Sequence, residues 1–498
     1  MERKKLQSLI IYILVAVSGM LYILQCSSWT SPLYPYAYGY DCSWYSLMGR
    51  AITLGKVPYR DYFDLKGPVL FFYEAFGQLF LKGRNGIFLI QCISIGVTAV
   101  IVWKTARLYL NRICTVLVLI SYYFVAYALI WGGNTVEELF MPFSVLAVYL
   151  VLDYIKNKEN ALFTPERSAL LMGIGFGVYF FSKMTVAAVI CASVLTVTIF
   201  LIKKKEWSRL ASCALNFIIG ITIVAVPLFI YFIVNGALKD FIYCAFLFAF
   251  KRSTDYYEAF SLKWELNLVI CYASFFFGLC MSHENEEEDE LRLYILLTAP
   301  IQYAFLHLGT PYLYYFLSQM PVFVLLMILY LRGMAIRIER IRTEELKPEL
   351  RDFALLFSIV IVIYGYQNIT VDKFRENLRI REEEWGKTQV LACREIYELV
   401  PEWERDQIFN LESGMIYYEV NQNLPTNKYP VNLPYFLHLD PRIKTNVMNK
   451  LILHTPKWII SEDMFSFDDE DVKEFVGTHY EKVAENDGEE LYRYLDIR

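Results

Sequence analysis

A polytopic α-helical membrane protein with a small soluble domain at its C-terminal end is the fold class this sequence predicts. Three observations carry it. Apolar residues come in long blocks rather than in patterned faces: hydrophobic residues make up 56% of the 498 and charged residues only 20%, with a mean hydropathy of +0.35. Basic residues collect in alternate gaps between the blocks. After about residue 371 the blocks stop, and a charged stretch dotted with Trp and Tyr begins.

This composition excludes a disordered chain, a collagen, a small disulfide scaffold and an ordinary cytosolic enzyme. The formal charge is −5 and the basic residues are scattered, so no nucleic-acid partner is expected. Most of the ten Cys, among them Cys92, Cys114, Cys191, Cys213 and Cys271, sit in apolar runs with no C-x-x-C spacing and read as buried apolar residues.

A helix needs about 20 mostly apolar residues to cross a bilayer. The first such run, 6–26, follows Arg3, Lys4 and Lys5 and has no small-x-small cleavage site after it. Further runs lie near 87–109, 113–131, 139–155, 168–181, 184–202, 210–233, 266–282, 291–308, 314–331 and 353–369, giving about eleven spans by window counting. With the N-terminus in the cytoplasm, the even loops should be basic. They are: Lys104, Arg107 and Arg112; Lys156, Lys158 and Arg167; Lys203 to Lys205 with Arg209; and Arg332 to Arg351. The loop 283–292 is acidic, which weighs little in orientation. An odd number of spans leaves the C-terminus outside.

The chain therefore divides into a transmembrane domain, 1–370, and an extracytoplasmic domain, 371–498. The latter reads as small and α/β. Leu451–Leu453, Trp458–Ile460 and Glu490–Leu495 look like strands; Arg375–Leu399 and Asp469–Gly477 look helical.

Two outer loops carry the chemistry. In the first, about 27–86, Trp44, Leu47, Met48 and Ala51 recur at helical spacing, and Gly55 is placed to end the helix. A second apolar run, Pro68 to Leu81, is too short for a comfortable span. Both are expected as amphipathic helices along the outer membrane surface, with Trp44, Leu47, Met48, Phe71 and Phe72 on the apolar side. Asp41 stands just before the first helix. It reads either as an N-cap or as a catalytic carboxylate kept ionised by the helix N-terminus. The second loop is Trp131-Gly-Gly-Asn-Thr-Val-Glu137-Glu138. Adjacent carboxylates at the mouth of a span are functional candidates; the plain alternative is a capping box from Thr135 to Glu138.

The string Tyr40-Asp41-x-Ser43-x-Tyr45, then Gly55-x-x-Pro58-Tyr59-x-Asp61, then Asp64-x-Lys66-Gly67-Pro68 resembles the first outer loop of GT-C type integral membrane glycosyltransferases. It is most similar to the branch related to protein mannosyltransferases and the lipid A aminoarabinose transferase (glycosyltransferase family 39-like). Asn134-Thr135-x-Glu137-Glu138 matches that family's second acidic position. Phe181-Ser182-Lys183 resembles its recurring lysine, and Tyr312-x-Tyr314-Tyr315-Phe316 a late-span motif.

The resemblance implies transfer of a sugar from a polyprenyl-phosphate donor to a glycan, lipid or protein acceptor of the cell envelope, at the outer face of the cell membrane. Inversion at the anomeric carbon is implied with it. A hydroxyl attacking an oxocarbenium-like centre needs a carboxylate base; Asp41 is the choice, with Glu137 or Glu138 orienting the acceptor or supporting the base. A departing phosphate needs cations at a partly dry site; Lys66, Arg60 and Lys183 are candidates, with Tyr59 and Asp61 in the same substrate-binding stretch. For Arg60 and Lys183 the alternative is snorkelling to headgroups.

No metal or other cofactor is expected, since His283, His307, His438, His454 and His479 show no ligand spacing. Gly173-x-Gly175-x-Gly177 lies within a span and reads as helix packing, not a nucleotide loop. Three rivals stand beside the enzyme: a transporter or flippase of lipid-linked glycans, a non-catalytic assembly or sensor protein, and a ligase of whole lipid-linked oligosaccharides. A transporter is expected to carry ionisable residues near the midplane in matched halves. Here the candidates lie in loops and no internal repeat is visible.

Overall fold

The computed structural model describes residues 2–251, 286–308, 312–343, 367, 369–411, 414–430, 433, 436–437, 440–462 and 469–495. The expected spans 266–282 and most of 353–369, together with His283 and His438, lie outside them. The chain forms two compact units. One is drawn from Met1–Ser27, Ile90–Leu228 and Tyr256–Asn377, the other from Ser28–Leu89, Phe229–Asp255 and Leu378–Arg498.

The helices of the chain up to residue 242 are α1 Glu2–Cys26, α2 Tyr40–Thr53, α3 Pro68–Gln78, α4 Arg84–Arg107, α5 Arg112–Leu129, α6 Val136–Leu139, α7 Met141–Asn157, α8 Pro165–Phe180, α9 Ala188–Lys203, α10 Trp207–Val234 and α11 Leu238–Ile242. Among the described residues six segments are long and apolar enough to cross a membrane: Lys5–Cys26, Arg84–Arg107, Arg112–Leu129, Met184–Lys203, Trp207–Val234 and Leu313–Glu339. Each coincides with an expected span. Three more expected spans are helices too, at α7, α8 and Glu286–Leu306. The protein is a polytopic helical membrane protein.

Lipid explains which side chains stay uncovered. On α1, Leu6, Leu9, Leu14 and Leu21 are exposed, as are Ile218, Ile223, Ile230 and Val234 on α10. Such a surface is unfavourable in water and neutral in hydrocarbon. In the first unit α9 packs on α7 and on Glu286–Leu306, and the Ser193 and Tyr294 hydroxyls lie 2.8 Å apart. The Gly173–Gly177 stripe is a packing surface: a Cβ at Gly173 would stand 2.2 Å from the Phe217 carbonyl oxygen on α10.

In the second unit α2 packs against α3, and the approach is close enough that a Cβ on Gly49 would fall 2.6 Å from Glu74 Cβ. Both helices form, but one expectation about them is corrected. Trp44, Leu47, Met48 and Phe71 are buried in protein, not turned to lipid, and Phe72 lies edge-on to Tyr231. The uncovered apolar side chains are Phe76, Leu79, Phe80 and Leu81, at the end of α3.

The C-terminal part of the second unit holds a four-stranded sheet in the order β1-β2-β4-β3: β1 Ile408–Asn410, β2 Trp458–Ser461, β3 Tyr480–Asn486 and β4 Glu489–Tyr494. β1 and β2 are parallel, with Phe409 opposite Ile459; β2–β4 and β3–β4 are antiparallel. Asp487 (φ 48°) and Gly488 (φ 84°) form the β3–β4 turn, the Asp-Gly pair such hairpins favour. Leu451–Leu453 is helical, not a strand. Its triplet completes the spacing Ile443, Val447, Leu451, the buried face of the helix Pro441–His454. The expected helix 375–399 is interrupted at 383–386, with Gly386 at φ 87° starting Lys387–Leu399. No disulfide joins the described cysteines.

Candidate active site

In the second unit α2 starts from Gly39, whose lack of a side chain leaves the first turn uncapped. Asp41 is not the N-cap: it lies within the first turn. Tyr45 is one helical turn along the same face, and its hydroxyl donates to Asp41 Oδ2 at 3.0 Å. The carboxylate remains half exposed, and Lys66 Nζ stands 3.9 Å from the same oxygen. The ammonium also lies over the Tyr45 ring, 4.6 Å from its centre.

The local sequence fixes Lys66 by its main chain. Asp64 Oδ1 accepts from Lys66 N at 2.6 Å, and its other oxygen accepts from Trp44 Nε1 of α2. Tyr59 donates its hydroxyl to the Lys66 carbonyl at 2.6 Å. Gly67 and Pro68 then open α3, with Pro in its first turn. The Asp64-x-Lys66-Gly67-Pro68 string thus ties the lysine to two helices.

The Gly55-x-x-Pro58-Tyr59-x-Asp61 string builds a tight turn. Gly55 has φ 82° and Tyr59 has φ 68°, a strained setting for an aromatic residue. Tyr59 N donates to Tyr62 O at 2.7 Å, and Asp61 Oδ2 accepts from Val57 N at 2.7 Å. The Tyr59 ring is buried against Phe232 and Phe241, both 5.6 Å away between centres. Its observed part is to hold Lys66. Arg60 is paired with Asp61 through two hydrogen bonds of 2.9 and 3.0 Å, and donates to the Asn235 carbonyl at 3.0 Å.

In the first unit, Gly132 (φ 68°), Gly133 (φ 95°) and Asn134 (φ 62°) give three successive left-handed residues. A Cβ at Gly133 would fall 1.9 Å from Ser27 Oγ. The turn delivers α6, which carries both glutamates. The capping box is not found: Thr135 is the N-cap, but its side chain makes no cap bond. Glu137, 2% exposed, forms an ion pair with Lys183. Lys183 Nζ also lies 3.1 Å from the Tyr315 ring centre and 5.6 Å from that of Tyr314. Glu138 accepts from Gln91 Nε2 at 2.7 Å; burial pushes its carboxyl up to about 7. Lys183 and Arg60 are both engaged by carboxylates rather than reaching out alone.

The structure therefore groups the candidates into clusters by unit: Asp41 with Lys66, Arg60 with Asp61, and Glu137 with Lys183. Sequence reasoning did not select Tyr45, Asp64 or Gln91. Tyr45 and Asp64 stand inside the quoted motifs, so the signal was present; Gln91 carries none. Among the described residues no group of three or more His, Cys, Asp or Glu is arranged to hold a metal ion.

The chain resembles GT-C type membrane glycosyltransferases in both its sequence and its fold. Residues 66–233 match the family described as dolichyl-phosphate-mannose-protein mannosyltransferase. The fold is similar to the crystal structure of ArnT from Cupriavidus metallidurans bound to undecaprenyl phosphate, with a TM-score of 0.61 at 12% identity over 99% of this chain and 98% of that one. The same protein in its apo state matches with a TM-score of 0.59, again at 12% identity, over 98% of each chain. By sequence, no curated protein matches.

Proposed function

We propose that this protein is a membrane glycosyltransferase that moves a sugar from a polyprenyl-phosphate donor to a hydroxyl of a cell-envelope glycan, lipid or protein. One observation carries the reading: Asp41, Tyr45 and Lys66 form a half-open anion–cation cluster. It belongs to a fold shared with ArnT, which was crystallised with undecaprenyl phosphate.

The chemistry follows from the residue types. The acceptor hydroxyl oxygen attacks the anomeric carbon while Asp41 takes its proton. The bond between that carbon and the phosphate oxygen breaks, and the polyprenyl phosphate leaves with the electron pair. Lys66 supplies positive charge to the leaving phosphate. Arg60 and Asp61 are assigned to substrate binding, with Tyr59 as the buried support of Lys66. In the other unit, Lys183 is assigned to phosphate binding and Glu137 or Glu138 to acceptor orientation. The cations supply what a metal would, so turnover should survive a chelator.

The topology we propose has eleven spans and a cytoplasmic N-terminus, with 27–86, 132–138 and the domain 371–498 on the outer side of a 1–370 membrane domain. Labelling of single cysteines from outside tests it. The function is tested with purified protein in detergent and a series of undecaprenyl-phosphate sugars, following release of undecaprenyl phosphate. Transport of the intact carrier across vesicles without its cleavage would favour the flippase reading.

A further inference from the structure

Within the second unit, one short segment of the C-terminal domain, 418–428, is bonded to both elements that carry the Asp41–Lys66 pair. It begins in the helix Met415–Asn421 and continues without regular structure. Its own domain holds it firmly. The Asn427 amide donates to the Asn410 carbonyl of β1 at 2.7 Å, and its oxygen accepts from Asn410 N at 3.1 Å. Thr426 N donates to the Ile408 carbonyl at 3.2 Å. The sheet therefore fixes the segment, and the segment can fix what is bonded to it.

The first attachment is to α2, the helix of Asp41. Nine residues after Asp41, Arg50 lies on the opposite side of α2, so the grip is away from the carboxylate. Arg50 is buried. Its guanidinium donates to the Asn423 carbonyl and, at 3.5 Å, to that of Tyr418. Burial lowers its pKa, and the opposing charge of Glu419 in the same segment raises it. A buried guanidinium spent on main-chain carbonyls is a costly way to join two helices unless their relation matters. The second attachment is to the loop of Lys66. Tyr62 donates its hydroxyl to the Pro425 carbonyl at 2.8 Å, and Phe63 N donates to the Lys428 carbonyl at 2.7 Å. The Tyr62 ring stands edge-on to Trp44, 6.3 Å between centres. Trp44 in turn donates to Asp64, the carboxylate that holds Lys66 N.

We propose that Arg50 and Tyr62 are positioning residues, through which segment 418–428 of the C-terminal domain sets the spacing of Asp41 and Lys66. Their part in turnover rests on the glycosyltransferase reading; the positioning itself does not, and is read without donor. Hydrogen exchange is measured on the full-length protein in detergent. Arg50→Lys keeps the charge but loses the fork; Tyr62→Phe keeps the ring but loses the bond. Thermal melting checks that each is folded, and Tyr62→Phe carries the test alone if Arg50→Lys is not. Arg50→Lys should speed exchange in α2, and Tyr62→Phe in 63–66, by about fivefold or more, the scale of one lost hydrogen bond. Strands β2 and β4 should keep the protection of the parent. With the accepted donor, each variant should lower kcat about tenfold and leave KM within about twofold. A kinetic cycle then separates positioning from mere support. Arg50→Lys should cost less than about twofold in an Asp41→Asn background, and Tyr62→Phe likewise in a Lys66→Ala background, because the group each one places has gone. Exchange unchanged in the folded variants, or kinetic losses that simply add, would overturn the proposal. A parent protein that turns over no donor would count against the glycosyltransferase reading instead, and exchange would still decide whether the segment fixes the two carriers.

Discussion

The Lys66 ammonium lies 3.9 Å from the Asp41 carboxylate, though 25 residues and a helix end separate them in the chain. Two restraints make that approach reproducible: Asp64 grips the Lys66 N–H and Tyr59 its carbonyl. Lysine at this place therefore has a fixed main chain and a partly exposed ammonium, the arrangement that the proposed phosphate contact requires.

Removing the tip tests that assignment. Lys66→Ala should lower kcat/KM for the lipid-linked donor by about 10- to 100-fold, the worth of one charge-assisted hydrogen bond. Its melting temperature should hardly move, because the ion pair with Asp41 is substantially exposed and contributes little. A large fall in stability with normal specific activity would make Lys66 a structural residue.

Removing the base is a different experiment. Tyr59→Phe keeps the buried ring but deletes the bond to the Lys66 carbonyl, and should cost about 1 kcal/mol in stability. It should also weaken donor use more than that loss of fold explains. Unfolding in detergent and donor kinetics on one preparation measure both. Unchanged kinetics would mean that the Lys66 main chain is fixed without Tyr59.

The Glu137–Lys183 pair makes a prediction about burial. Glu137 is 2% exposed, so Glu137→Ala strands a lysine among aromatic rings and should destabilise by up to about 3 kcal/mol. Lys183→Met combined with Glu137→Gln should be less destabilising than Glu137→Ala alone. A double-mutant cycle that shows simple additivity would remove the pair.

Glu138 predicts a pH slope. Its carboxyl is raised by burial to about 7 in the folded protein, from 4.5 for the free side chain. The folded state then holds the proton more tightly than the unfolded state. Stability should fall as pH rises from about 4.5 to 7 and level off above. Glu138→Gln should flatten that part of the curve. Melting curves at half-unit intervals decide, and an unchanged slope in the variant would place the titration elsewhere.

Much of this molecule was legible in the sequence, and the failures have physical causes. Span positions follow from apolar length, a property of the segment alone. Asp41 and Lys66 stand out as candidates because a motif marks them. The position of Asp41 inside the helix was missed because Gly39 starts a turn as readily as an Asp cap does. Leu451–Leu453 was read as a strand because a three-residue apolar run has no period of its own; only Ile443 and Val447 reveal the helical one. Trp44 and Phe71 were assigned to the membrane because apolar spacing says which face is buried, not what buries it. The role of Tyr59 needed a positive φ that no Tyr advertises. Glu137 and Lys183 lie 46 residues apart, beyond any local pattern.

The measurement that bears most directly on the central claim is the turnover of Asp41→Asn beside its thermal stability. Asn keeps the size of the side chain and can still accept the Tyr45 hydroxyl bond, but it cannot take a proton. Since Asp41 is half exposed and does not cap α2, the fold should tolerate the change. The account predicts a melting temperature close to that of the parent protein and a rate of undecaprenyl phosphate release from the accepted donor lowered by about 100- to 10,000-fold. A folded Asp41→Asn protein with near-normal turnover would contradict it, and would move the search for the base to Glu137 and Glu138.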